Sequence, residues 1–453
     1  MQHADFNQFV DGFNRLAKLD LDIGEAVDPD AAMARLMSYS AHVAVGPEIV
    51  QSVAHQIALL TFVNIASRFA LGGVTVSGLG DVPLLAPWLG KDLKSAVIAL
   101  GGNVGSKASE APVVIIGSIL STPPERGCQL TFEGWRGGVV PLGHQRLSEC
   151  DVTAPAAVLS GAFAAAEVFT ILRGEAGAGL RPQGLSVWRP DGDADWFSSM
   201  NDGPTLSQLP NHLWVLGLGH LGQAFLWVLA MCPYQDRSAV KLVLQDTDIV
   251  TGSTSSTSIL TIDGSTGRKT RTVATLFESL GFMTSLVERP FDDGFCRRAD
   301  DPSILVCGVD NALARSQVEA PGFPLVIEAG IGRTADDFRS VRLHSFPAQR
   351  KASALWKAGA IEPDISIGKT PGYNRLKEQG VDDCGLTRLA GTAVGAPFVG
   401  GIAGVLMLGQ ILRLLHGDTL DAVIDFDLRA LDARRAVGNS VLTKLNPGFQ
   451  SCI

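Results

Sequence analysis

Short apolar runs alternate with longer helical stretches along most of the chain, most clearly in its second half. Leu213–Leu216 is an apolar run that ends at a glycine and passes into a helical pattern over 221–231. "KLVLQ" (241–245), "SILVC" (303–307) and the runs at 324–328 and about 339–345 read as further strands, with a helix predicted over 268–280. This alternation predicts a mainly parallel sheet covered by helices. Residues 346–390 are polar and irregular and read as a crossover loop. They lead into a long apolar helix at 395–417 and a strand at 422–428.

The first half reads as a worn copy of the second. A helix over 49–70 precedes strands expected at 73–77, 95–99 and 112–117. An apolar helix at 154–174 then matches 395–417 in character. Both are rich in small residues, both follow a cysteine (Cys150, Cys384), and both run through "ILR" to a glycine. An internal duplication accounts for these echoes, and an unrelated helix-and-sheet extension is its rival. The expected division is a degenerate first copy at 1–181, a polar, turn-rich linker at 182–211 and an intact second copy at 212–453.

Composition narrows the class. The chain has 453 residues, 46% hydrophobic and 18% charged, with 50 glycines, as expected of a well-buried α/β protein of two domains. A net charge of −9 argues against nucleic acid as a partner. Seven cysteines without paired C-x-x-C spacing fit neither a disulfide framework nor a zinc site, and favour a reducing cytoplasm. The first residues lack a signal-peptide layout. The apolar stretch before Arg413 is long enough to cross a bilayer, but Pro397 and Gln410 interrupt it, so a buried helix and no membrane role are expected.

The candidate chemistry begins where the strand at 213–216 meets its helix. Gly217, Gly219 and Gly222 form G-x-G-x-x-G: a tight turn, close backbone approach to a phosphate, and close helix–strand packing. Phosphate charge would rest on free N–H groups at the helix N-terminus. Asp246 ends the next strand, about 20 residues on, where an acid meets a ribose. The loop and this acid leave a redox dinucleotide and ATP both open. The "QDTDIV" (245–250), "GRKT" (267–270) and "CGVDNALAR" (307–315) motifs follow in order.

In that order and spacing the motifs resemble the ThiF/MoeB and ubiquitin-activating superfamily, over about 210–417. The resemblance implies a Rossmann-like ThiF-type adenylation fold, with ATP and Mg²⁺ as its requirements. By the same resemblance, Gly217, Gly219 and Gly222 would cradle the phosphates, and Asp246 and Asp248 would belong to the nucleotide site. Lys269 would offset phosphate charge, Asp310 would sit by the metal and the α-phosphate, and Asn311 and Arg315 would shape that loop. Cys384, followed by Gly385 and "GTAVGAPFVG", resembles the crossover cysteine of bacterial relatives of ubiquitin-activating enzymes, which receives the acyl group. Implied partners are a ubiquitin-like protein and a conjugating-enzyme-like protein, in the setting of antiphage operons; a homodimer is left open.

One departure stands out. The family's ATP-contacting Asn and Arg after the D-x-D strand are replaced by "TGSTSSTS" (251–258), with Thr254 and Thr257 at about those places. Hydroxyls bond phosphate but bring no charge. Arg268, Arg271, or Arg35 or Arg68 from the first half are the candidate substitutes. Rival functions are a sulfur-carrier or small-molecule adenylyltransferase without a thioester, an NAD-dependent oxidoreductase, and a non-catalytic scaffold.

Overall fold

The computed structural model describes residues 9–106, 110–118, 124–191, 195–262, 264–292, 294–356, 370–442 and 445–452. Two short helices, α1 (Ala17–Asp22) and α2 (Pro29–Ser38), lead into the first sheet. Its strands are β1 (Ser40–Val45), β2 (Gly73–Ser77), β3 (Gly102–Val104), β4 (Val113–Ile116), β5 (Gly127–Glu133), β6 (Arg136–Pro141) and β7 (Gln183–Ser186). Helices α3 (Val53–Ala66), α4 (Leu93–Ala99) and α5 (Ala154–Leu172) accompany them.

After β8 (Gln208–Pro210) the pattern repeats. The second sheet holds β9 (His212–Leu216), β10 (Lys241–Gln245), β11 (Met283–Val287), β12 (Ile304–Cys307), β13 (Leu325–Ile331), β14 (Ser340–Phe346), β15 (Asp421–Asp427) and β16 (Arg435–Gly438). Its helices are α6 (His220–Met231), α7 (Gly252–Ser255), α8 (Lys269–Ser279), α9 (Ala312–Ser316), α10 (Ala352–Leu355), α11 (Pro371–Glu378), α12 (Asp383–Gly391) and α13 (Pro397–Leu415). A last strand, β17 (Phe449–Ser451), pairs with β8.

Strand order carries the duplication. The first sheet runs β3-β2-β1-β4-β5-β6-β7 and the second β11-β10-β9-β12-β13-β14-β15-β16, the same winding with one added strand. In each the first five strands are parallel and the rest turn antiparallel. The fold is therefore α/β and Rossmann-like, built as two tandem copies.

Four apolar helices, α3 and α5 of the first copy with α6 and α13 of the second, pack on one another and hold the copies together. They cross closely because small residues let backbones approach. A Cβ at Gly161, the eighth residue of α5, would lie 2.7 Å from the Ala58 carbonyl oxygen on α3. A Cβ at Gly404, the eighth residue of α13, would lie 2.7 Å from the Ala224 carbonyl carbon on α6. The same crossing is built twice. Trp227 Nε1–H donates to Thr61 Oγ1 (3.0 Å) across the junction, and Phe169 and Phe398 meet ring to ring (5.4 Å). Helices α5 and α13 are each long and apolar enough to cross a membrane, and both are buried inside the protein.

Three expectations change. Residues 95–99 are helical, not a strand: Asp92 caps α4 and shares a capping box with Ser95, which decides a short apolar run in favour of helix. Residues 182–211 are more than a linker, because β7 pairs with β6 and Asp202 accepts the Trp135 N–H (2.8 Å). The helix expected over 49–70 spans only Val53–Ala66, preceded by a short 3₁₀ turn at Pro47–Val50.

Candidate functional site

The sheet reverses its winding between β9 and β12, and the crevice beyond the carboxyl ends of such strands is where open α/β sheets bind ligands. Gly217 leaves β9 with φ +84°, a conformation open to glycine. A Cβ at Gly222 would lie 1.8 Å from the Gly217 carbonyl oxygen, so the helix can pack this tightly only with glycine there. Gly219 is the N-cap of α6, and among the described residues no side chain caps that end. Among the described residues, the first N–H groups of this twelve-residue helix are thus left without a side-chain partner, which suits an anion.

Asp246 lies at the end of β10, beside this loop. Its Oδ2 accepts the Leu218 N–H (2.6 Å) and its Oδ1 the Asp248 N–H (2.7 Å). Lys269 opens α8 and pairs with the exposed Asp248 (2.8 Å). Asp310, past the end of β12, is exposed. Asn311 caps α9 by accepting the Leu313 and Ala314 N–H groups (2.8 and 3.3 Å).

Arg315 is buried: it donates to the Val309 carbonyl (2.7 Å) and the Ala329 carbonyl (2.8 Å), pairs with Glu328 (3.2 Å) and lies over Trp356. Asn311 and Arg315 hold the shape of the Asp310 loop from below. The fold thus brings the glycines, Asp246, Asp248, Lys269 and Asp310 to the carboxyl ends of the neighbouring strands β9, β10 and β12.

The Ser/Thr-rich loop has a different place from the one expected. Ser253, Thr254, Ser256, Thr257 and Ser258 are buried, and Thr254 spends its hydroxyl on Thr251. The chain's own N-terminal segment lies over the loop: Arg15 N–H donates to Ser256 Oγ (3.2 Å), and a Cβ at Gly252 would lie 3.0 Å from Gly12 Cα.

In this structure the four candidate arginines are engaged with other partners. Arg35 pairs with Asp20 and Glu25, Arg268 and Arg271 with Glu288, and Arg68 donates to backbone carbonyls of the loop. Arg15, which sequence reasoning missed, is a cation brought to this region, with Arg333 and Arg388 close enough to act on it. It is half-buried and its charge interacts with Asp310. Burial lowers its pKa, and the carboxylates of Asp310 and Asp11 work against that. Its distance in sequence from every motif left no signal by which to find it.

Cys384 is the second residue of α12, and its side chain lies outside the described residues. The acids beside it are engaged: Asp382 caps the helix by accepting the Gly385 N–H (2.8 Å), and Asp383 pairs with Lys377 (3.0 Å). Arg388 pairs with Asp11 (2.8 Å).

The corresponding end of the first copy is closed. Ser52 caps α3, its Oγ accepting the His55 N–H (3.3 Å) and lying 2.7 Å from His55 Nδ1. His55 Nε2 meets Glu149 (2.9 Å), which also binds Arg146 (2.7 Å). Glu48 accepts the Ser118 N–H (3.0 Å). Burial works to raise the Glu48 carboxyl, but the Ser118 hydrogen bonds outweigh it and hold the group below its ordinary value. A carboxylate and a serine of the protein occupy the mouth that the second copy leaves open.

Comparison with known proteins finds family models over both copies. One described as the BilD N-terminal domain matches residues 40–187, and one described as the BilD C-terminal domain matches 209–418. The bacterial E1-like protein BilD of Collimonas sp. (strain OK412) is 45% identical over 412 residues, covering 89% of this chain and 88% of that protein. Among solved structures, E. coli MccB with AMPCPP and MccA is 12% identical, covering 70% of this chain and 97% of that one at a TM-score of 0.36. MccB with N-formylated MccA is similar at 12% identity and a TM-score of 0.35, covering 70% of this chain and 98% of that one. Superpositions that loose carry no argument about the site.

Proposed function

The chain belongs to the family of bacterial E1-like BilD proteins, and on that premise we propose that it uses ATP to activate the C-terminal carboxylate of a ubiquitin-like protein. The observation that carries this reading is the uncapped start of α6 behind the Gly217–Gly222 loop, at the winding switch, with Asp246, Lys269 and Asp310 around it. Phosphates would rest on the first N–H groups of α6, and the ribose on Asp246, whose oxygens keep lone pairs beyond the two backbone bonds.

The carrier's carboxylate oxygen attacks the α-phosphorus. A new P–O bond forms, the α–β bridging P–O bond breaks, and pyrophosphate leaves with its electron pair. Two negative groups must approach, so Lys269, turning from Asp248, and Arg15 offset their charge. A Mg²⁺ bound to the triphosphate would have Asp310 as its protein ligand. Bound there, it would add Lewis-acid charge stabilisation.

The Cys384 thiolate, at the start of α12, then attacks the acyl carbon. A thioester forms, AMP leaves, and a conjugating-enzyme-like cysteine takes the acyl group.

The test is exchange of labelled pyrophosphate into ATP, with and without the candidate ubiquitin-like protein, in wild type and Cys384→Ala. Carrier-dependent exchange in both, with a thiol-labile adduct in wild type alone, is the expected result. Exchange and full product formation by Cys384→Ala would favour a thioester-free adenylyltransferase; no exchange and no ATP binding would favour a scaffold.

A further inference from the structure

The middle peptide of the glycine loop is gripped from both sides, and one grip leads back into the first copy. Leu218 gives its N–H to Asp246, and its carbonyl accepts from Gln223 Nε2 (2.9 Å). Gln223 is fully buried. Its amide also bonds the Thr261 hydroxyl (2.9 Å from Nε2, 3.1 Å from Oε1), and Oε1 accepts the Leu260 N–H (2.9 Å).

The 259–261 segment hangs in turn from the first copy, just beyond α3. Arg68 Nη1 donates to the Thr261 carbonyl (3.2 Å) and Nη2 to the Ile259 carbonyl (3.0 Å), which also accepts from Asn64 Nδ2 (3.0 Å). Arg68 binds the Ser255 carbonyl as well. A continuous chain of hydrogen bonds thus runs from Arg68 through Thr261 and Gln223 to Leu218.

We infer that Arg68 and Gln223 are positioning residues: the copy whose own helix start is closed sets the shape of the open one's phosphate loop. A planar five-donor fork fixes several carbonyls at once, which a point charge does not. A buried, fully satisfied amide transmits that placement with little slack. Leu218 lies between Gly217 and Gly219, so without the Gln223 bond its carbonyl is free to rotate toward the crevice, where it would repel phosphate oxygens. The inference rests on the reading of this loop as a phosphate cradle.

The test uses the full chain and two readouts: ATP affinity by calorimetry, and amide hydrogen exchange of residues 217–222 without nucleotide. Arg68→Ala, Gln223→Met and Thr261→Val should each weaken ATP about five- to tenfold, the scale of one lost buried hydrogen bond. Each should also speed exchange in the loop while leaving β9 unchanged. Arg68→Lys should recover part of the loss, and Arg68→Ala combined with Gln223→Met should be no worse than the worse single change, as for links of one chain.

ATP affinity and loop exchange equal to wild type would overturn the inference, and so would a lowered melting temperature with both readouts unmoved. If Arg68→Ala does not fold, Thr261→Val, which removes one hydroxyl, decides. A wild-type protein that binds no ATP would sink the nucleotide reading, while the exchange readout would still decide whether the first copy holds the loop.

Discussion

The two copies wind their first seven strands in the same order and differ most tellingly at the start of the helix that follows the first strand. In the second copy, glycines form that end and no side chain among the described residues caps α6. In the first, Ser52 caps α3, Glu48 brings a carboxylate to the mouth, and His55, Glu149 and Arg146 tie the surroundings together. Both solve the same problem, the unsatisfied N–H groups of a helix start. One solves it with its own atoms and so needs no ligand; the other leaves it for an anion. A fold alone therefore does not make a nucleotide site: what matters is which donors the protein declines to satisfy.

The sharpest way to break the comparison is to close the open end. Gly222→Ala places a methyl against the Gly217 carbonyl oxygen, which lies 1.8 Å from the added carbon, and should abolish pyrophosphate exchange by about a hundredfold or more while the protein still folds. Normal exchange would show that the loop is not the phosphate site.

Next come the twin crossings. Gly161→Val and Gly404→Val each force a branched side chain into a backbone contact of 2.7 Å and should each cost about 2–3 kcal/mol in chemical denaturation. Clearly unequal losses would mean that the helix pairs are not equivalent.

Arg15→Ala should raise the Michaelis constant for ATP about tenfold in pyrophosphate exchange, as expected for removing a charge-assisted contact, whereas Arg35→Ala should leave it unchanged. Equal effects would assign Arg15 to structure only. Ser52→Ala removes the cap of the closed end and should cost about 1 kcal/mol of stability without changing exchange kinetics.

A further effect is on pH. Burial holds the His220 imidazole down to about 4, so the folded state binds its proton less readily than the unfolded state does. Its contribution to stability is present above the ordinary histidine value, near 6.5, and is lost as pH falls toward about 4. Hydrogen exchange in α6 should accelerate across that window, and His220→Asn should flatten the response.

Much of the second copy was legible because β9, β10 and β12 are short apolar runs bounded by glycine or aspartate, the plainest signature of buried parallel strands. The first copy was harder. Ser40–Val45, "SAHVAV", carries a histidine and small residues and did not stand out as a strand, while "SAVIA" looked like a strand and is a helix because of Asp92. The boundary at 181 cut off β7, four residues containing a glycine, too short to reveal its pairing. Within the site, the glycines, Asp246, Asp248, Lys269 and Asp310 follow local motifs and could be read in order. Arg15, Gln223 and Arg68 matter through contacts that join distant parts of the chain, and no local pattern encodes those.

The shared helical junction has a consequence for how this chain is made. During synthesis the first copy leaves the ribosome with α3 and α5 complete, while the helices that cover them, α6 and α13, are still to come. Until Leu415 has emerged, a large apolar face has no cover, and a nascent chain stalled or cleaved in between is sticky. Fusing the copies keeps that interval short and supplies the missing half at fixed proximity, which two separately translated subunits would have to find by diffusion.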